Sequence, residues 1–339
     1  YTIDVYQHKM KPTHDIVAFF AFISFFPQLV AGPIERATHL LPQFLRSRSF
    51  DYAKATDGMR QILWGLFKKL VIADNCAVAV NQIFENYYQH DGLTLFYGAV
   101  LFTFQIYGDF SGYSDIAIGT ARLFGINLMR NFNFPYFSRD IAEFWRRWHI
   151  SLSSWLRDYL YISLGGNRHG KFRQYLNLII TMFLGGLWHG ASWNFVLWGM
   201  FHGVALALHK AWMTIIGRKK GEESHGVRRF LGVIITFNFV CFCWIFFRNA
   251  DIHNSMDMLG QIFTTFRPQL FPQLLEGYWR VFALMALGFL LHFAPDSWEN
   301  AVCRGVIRLP FLGKALLMVA MIYLVIQMKS SEIQPFIYF

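Results

Sequence analysis

The sequence predicts an all-α, polytopic membrane protein, and three observations carry that expectation. Of its 339 residues, 55% are hydrophobic and only 15% charged. Soluble domains average about 45–50% apolar and about 25% charged residues. Apolar runs approaching the ~20 residues of a spanning helix recur at 15–31, 60–83, 94–124, 174–190, 192–213, 229–247, 279–295 and 313–328. The loops between them alternate in charge. The 32–59 loop carries Arg36, Arg46, Arg48 and Lys54, whereas 84–93 holds Glu85 and Asp91 and no Lys or Arg. The 125–173 region is basic again, and so is 210–229, with Lys210, Arg218, Lys219, Lys220, Arg228 and Arg229. Basic loops face the cytoplasm, so 249–278 would face outside. The net charge of +10 therefore reports orientation rather than nucleic-acid binding. The whole chain, 1–339, reads as one membrane domain.

The first residue is Tyr1, and no basic-then-apolar leader follows it. An incomplete N-terminus with some spans missing is the expectation. Cys76, Cys241, Cys243 and Cys303 are scattered, in neither a disulfide framework nor a zinc spacing. They read as packing residues.

Taken in order, Phe26-Pro-Gln-Leu-Val-Ala-Gly-Pro-Ile-Glu-Arg36 reads as a kinked helix ending at a Gly-Pro stop. Lys68-Lys69 is expected to interrupt the second run. Gly108-Asp-Phe-Ser-Gly-Tyr-Ser-Asp115 is expected to interrupt the third. Asp109, Ser111 and Asp115 would then either satisfy freed backbone groups or line a chamber, since polar sequence at membrane depth needs protein or water around it.

In 139–163, Phe144, Trp148, Leu152 and Trp155 form one helical stripe, with Arg146, Arg147, Arg157 and Asp158 mostly off it. The spacing predicts an amphipathic interfacial or re-entrant segment over 139–173, aromatics in the headgroup zone. His149 belongs to this segment.

The 174–213 region reads as a helical hairpin carrying His189 within Gly185-Gly-Leu-Trp-His-Gly190. A climb of about 15 residues at ~1.5 Å each covers about 22 Å, short of the ~30 Å hydrocarbon thickness. His189 should lie inside the membrane, toward the outer leaflet. An ionisable group there is a functional-site candidate by default. Burial disfavours its charged form, which suits a general base toward a hydroxyl. His149 could orient it, polarise a carbonyl or stabilise an oxyanion. His202 and His209, seven apart, read as satisfied core histidines. None of the 12 histidines pairs at i, i+3 or i, i+4, which argues against a di-iron oxygenase or zinc protease. No Walker loop or nucleophile elbow occurs, so a covalent route through Ser111 or Ser153 ranks below direct transfer. A transporter or flippase also suits broken helices, but the sequence lacks inverted repeats.

The segments 26–36, 107–115, 143–159, Leu164-Gly-Gly-Asn-Arg168 and 185–190 together resemble the membrane-bound O-acyltransferase family. The similarity lies nearest its bacterial alginate O-acetyltransferase branch, akin to the membrane protein of teichoic-acid D-alanylation. The resemblance implies helices arranged around a central tunnel, with His189 catalytic and His149 the second polar site residue. Trp188, Trp148, Arg146, Asp109, Ser111 and Asp115 would support them or line the tunnel. It implies no bound cofactor or metal, and an acyl thioester donor such as acetyl-coenzyme A on the cytoplasmic side. The acceptor would be an exported polysaccharide, served with an extracytoplasmic acyltransferase partner, and the location a bacterial inner membrane.

Overall fold

A computed structural model describes residues 1–217, 224–292, 296–330 and 334–337. Among them there is no strand. In chain order they form α1 (Thr2–Tyr6), α2 (Ile16–Ile23), α3 (Ala37–Phe44), α4 (Tyr52–Phe67), a π-helical stretch (Lys68–Ala73), α5 (Asp74–Glu85), α6 (Gly92–Leu123), α7 (Ile141–Arg147), α8 (Ile150–Trp155), a second π-helical stretch (Leu156–Tyr161), α9 (Gly170–His189), α10 (Trp193–Ile215), α11 (Gly226–Arg248), α12 (Ile252–Thr264), α13 (Phe271–Gly277), α14 (Trp279–His292), α15 (Asp296–Arg308) and α16 (Phe311–Met328). Arg218, Lys219 and Lys220 of the basic 210–229 loop, and the end of the 279–295 run, lie outside the described residues.

Two of these helices, α11 and α16, are long and apolar enough to cross a membrane alone. The bent pair of Pro268–Gly277 and Trp279–His292, at 93°, adds a third if it forms one broken span. The other apolar runs are helical too, but shorter or more polar than a lone span.

The chain divides into two compact units. The first comprises 1–75, 105–131 and 286–339. Two expected interruptions fall here: one leaves its helix unbroken, and the other changes the helix type without opening a gap. Gly108–Asp115 runs inside the continuous α6. Lys68-Lys69 opens a π-helical turn that joins α4 to α5 without a gap. The reason is pairing across a close helix contact. A Cβ on Gly65 would sit 2.5 Å from the Gly112 carbonyl oxygen, and one on Gly119 2.5 Å from that of Gly58. At that approach Lys68 meets Asp115 and donates to Ser111 Oγ at 2.9 Å, and Lys69 meets Asp109 at 2.6 Å and Asp74 at 2.8 Å. The charges that looked like breaks are each other's partners. Lys69 also donates to the carbonyls of Gln334 and Pro335, at 3.1 Å each, and the Ile337 N–H donates to Asp109 at 2.8 Å. The segment 334–337 is thereby strapped to a lysine that is only 4% exposed.

The second unit comprises 76–104 and 132–285. Its centre is the α9–α10 hairpin, in which glycines bring backbones together. A Cβ on Gly186 would lie 2.3 Å from the Phe195 carbonyl oxygen, and one on Gly199 2.4 Å from that of Met182. Ser192 caps α10, and Asn194 donates to the Asn249 carbonyl at 2.7 Å, pinning the hairpin turn to the end of α11.

Candidate active site

The 139–163 stripe does not form one helix. Asp140 caps α7 by accepting from the Glu143 N–H at 2.7 Å. Glu143 in turn pairs with Arg139 and Arg147, each at 2.7 Å. Burial alone would raise its carboxyl, but these two guanidinium groups and the Arg139 N–H hold it below the ordinary carboxylate range. The helix stops at Trp148. His149 then takes the left-handed conformation, φ 42° and ψ 56°, before α8 begins. The kink turns Phe144, Trp148 and Leu152 into the protein, where all three are buried. The expected headgroup anchor is therefore corrected: the stripe packs against protein because the helix bends inward at position 149. Only Trp155, at the far end, remains exposed.

None of the short helices from 141 to 161 is long enough to span a bilayer. His149 sits between two of them, 5% exposed. Its ring stacks on Phe132 at 6.4 Å, and its Nδ1 lies 3.4 Å from Ser151 Oγ. Burial pushes the imidazole down to about 3, and His189 is near enough for its charge to add to the effect. His149 is thus held neutral.

His189 is the last residue of α9, partly exposed, with extended Gly190 ending the helix behind it. Four aromatic rings surround it. The centroids of Trp188, Trp198 and Phe247 lie 5.1, 5.2 and 5.1 Å away, and that of Phe195 lies at 6.0 Å. An unbroken series of ring contacts continues from Phe247 through Trp244 and Trp148 to Phe132 and His149. Two imidazoles from distant parts of the chain thus share one aromatic wall. Such a setting keeps a ring neutral and able to accept a proton from a hydroxyl.

The other candidates are distributed differently. Trp148 is a buried member of the wall, while Trp188 touches His189 but is 61% exposed. Arg146 is exposed on α7. Asp109, Ser111 and Asp115 belong to the first unit, engaged with Lys68 and Lys69 as described above. Ser153 donates to the Trp148 carbonyl at 3.0 Å.

His202 departs from the expectation of a satisfied core histidine. Its Nδ1 accepts from Trp145 Nε1 at 3.2 Å, but its Nε2 has no partner among the described residues. His209 lies 3.6 Å from Asp140. The signal for His202 was its spacing from Phe195 and Trp198, which puts all three on one side of α10.

The model of MBOAT, the membrane-bound O-acyltransferase family, matches residues 3–253. The chain belongs to the membrane-bound O-acyltransferase family. Its curated relatives include the probable alginate O-acetylase AlgI of Pseudomonas syringae pv. tomato, 44% identical over 264 residues, covering 78% of this chain and 49% of that protein. The peptidoglycan O-acetyltransferase of Helicobacter pylori is 42% identical over 247 residues, covering 70% and 45%. The teichoic acid D-alanyltransferase of Streptococcus thermophilus is 30% identical over 259 residues, covering 68% and 60%. This O-acyltransferase-family chain spans about half the length of the first of these relatives. Family and apolar helices together make it a membrane protein.

Proposed function

We propose that this chain transfers an acyl group from a thioester donor to a hydroxyl of an exported cell-surface polysaccharide, working within a multi-pass bacterial inner-membrane protein. The observation that carries this reading is the shared aromatic wall holding His189 and neutral His149. His189 takes the proton of the acceptor hydroxyl while the hydroxyl oxygen bonds to the thioester carbon, and the carbonyl π pair moves onto its oxygen. His149 and nearby backbone donors support that oxyanion. Collapse re-forms the carbonyl and breaks the carbon–sulfur bond, and the leaving thiolate recovers the proton from His189. Exclusion of bulk water by the aromatic wall protects the donor from hydrolysis.

The donor we favour is acetyl-coenzyme A, reaching the site from the cytoplasmic side. The basic residues of 139–173 would attract its phosphates. A narrow passage past His189 would connect donor and acceptor sides, and an extracytoplasmic acyltransferase partner would complete delivery to the sugar. The names of the relatives, an alginate O-acetylase, a peptidoglycan O-acetyltransferase and a teichoic acid D-alanyltransferase, support the reaction class.

The test is His189→Ala in cells, with ester-linked acetate on envelope polysaccharide measured by base release. Acetate should fall at least about 100-fold, the usual scale for losing a positioned general base, with membrane insertion unchanged. Full acetylation in a stably inserted variant would overturn the reading.

A further inference from the structure

Two indole N–H groups of the aromatic wall, those of Trp198 and Trp244, have no partner among the described residues, and Trp198 is the one whose ring contacts His189. Trp198 is 3% exposed, and its Nε1 has no hydrogen-bond partner among the described residues. Its ring is wedged among those of His189 at 5.2 Å, His202 at 4.9 Å, Phe247 at 5.4 Å and Trp145 at 5.7 Å. On the neighbouring His202 ring, Nδ1 is already taken by Trp145. Buried donors are almost always paired. One left unmatched beside a candidate general base points to an acceptor supplied from outside the chain.

The chemistry of that acceptor follows from the geometry of the reaction. A hydroxyl deprotonated by His189 attacks a carbonyl carbon, so the carbonyl oxygen must lie within a ring's width of the imidazole. That oxygen carries no proton and gains charge during attack, and a pre-placed N–H is the group that stabilises it.

We propose that the Trp198 indole N–H donates to the carbonyl oxygen of the acyl donor, and that His202 is the positioning residue that fixes the indole. This rests on the acyl-transfer reading given above. His202 is suited to the role. It is fully buried, anchored by the Trp145 N–H from α7, stacked on Phe144 at 6.2 Å and set edge-on to Trp198. Because Trp145 donates to Nδ1, the ring proton sits on Nε2. His202 therefore ties α7, which leads into His149, to the α10 face that borders His189.

The experiment uses purified protein in detergent with acetyl-coenzyme A and two inert analogues. One is the ketone in which sulfur is replaced by methylene, which keeps the carbonyl. The other is S-ethyl coenzyme A, which lacks it. Wild type should bind the ketone at least about 10-fold more tightly. Trp198→Phe keeps an aromatic ring but removes the N–H. It should lose that preference, raise KM for acetyl-coenzyme A by about the same 10-fold, and lower kcat by about 10-fold more because the bond strengthens as the oxygen gains charge. His202→Phe should behave in the same way, and His202→Asn, whose amide oxygen can accept from Trp145, should recover activity lost in His202→Phe. Equal binding of both analogues by wild type would overturn the proposal without any variant. So would an unchanged preference and kcat in Trp198→Phe. His189→Ala is assayed in parallel. Its retained activity would remove the acyl-transfer reading itself, whereas its inactivity beside a fully active Trp198→Phe would remove only the role of the indole.

Discussion

His149 occupies the left-handed backbone region, uncommon for residues other than glycine although histidine, asparagine and aspartate visit it more often than most. Such positions cost about 1–3 kcal/mol and persist where the surroundings over-determine them. Here the Asp140 cap, the Glu143 ion pairs and burial of Trp148 hold the turn in place. The imidazole is buried as well as strained, so its neutral form is preferred on folding. A histidine lowered from its ordinary value near 6.5 to about 3 contributes stability that is fully present above pH 6.5. That stability is lost as pH falls from there toward 3. The expected slope is about 1.4 kcal/mol per pH unit. Thermal unfolding in detergent at pH 7.5 and 5.5 should therefore show a drop that is smaller in His149→Asn. Asparagine tolerates the left-handed turn and lacks the titrating ring, so an identical drop in both proteins would refute the assignment.

Helices in this chain are recognisable from hydropathy, but their breaks are not. The runs at 174–190, 192–213, 229–247 and 313–328 correspond within a few residues to α9, α10, α11 and α16. The 139–163 stripe kept its period straight through position 149, because periodicity records which side chains are apolar and not the φ of one residue between them. Conversely, Gly108–Asp115 looked like a break because its partners, Lys68, Lys69 and Gly65, lie far away in sequence. His189 was legible from its apolar flanks. The open nitrogen of His202 was not, since hydrogen-bond satisfaction depends on rings from two other helices, α7 and α11. The α9–α10 contact is the element-scale feature most open to test. Gly199→Val would drive a side chain into the Met182 carbonyl, and backbone cannot yield as a flexible side chain does. A loss of about 3 kcal/mol, with acetyl transfer lost alongside it, is the expected outcome. Unfolding midpoints in detergent read it directly, and a variant of wild-type stability would contradict the backbone-to-backbone packing.

At the scale of the molecule, the first unit is assembled from three separated stretches, 1–75, 105–131 and 286–339. Lys69 joins all three. It pairs with Asp74 beside it and Asp109 on α6, and it donates to the 334–335 carbonyls. Removing one member of such a buried set leaves the others uncompensated, at a cost on the order of 3–5 kcal/mol. Lys69→Met should accordingly reduce the amount of folded protein in the membrane more than deleting 334–337, which removes only neutral partners. Protease resistance of membrane fractions distinguishes the two, and equal loss would mean that the tail, not the ion pairs, governs this unit.

The strap at 334–337 also sets a timetable for biogenesis. During translation Lys69 emerges some 260 residues ahead of the carbonyls that complete its coordination. Until then the ammonium has only its carboxylates. Nascent chains stalled upstream of 334 would therefore hold an incompletely satisfied ammonium, and bulky fusions placed directly after this segment would compete with its docking.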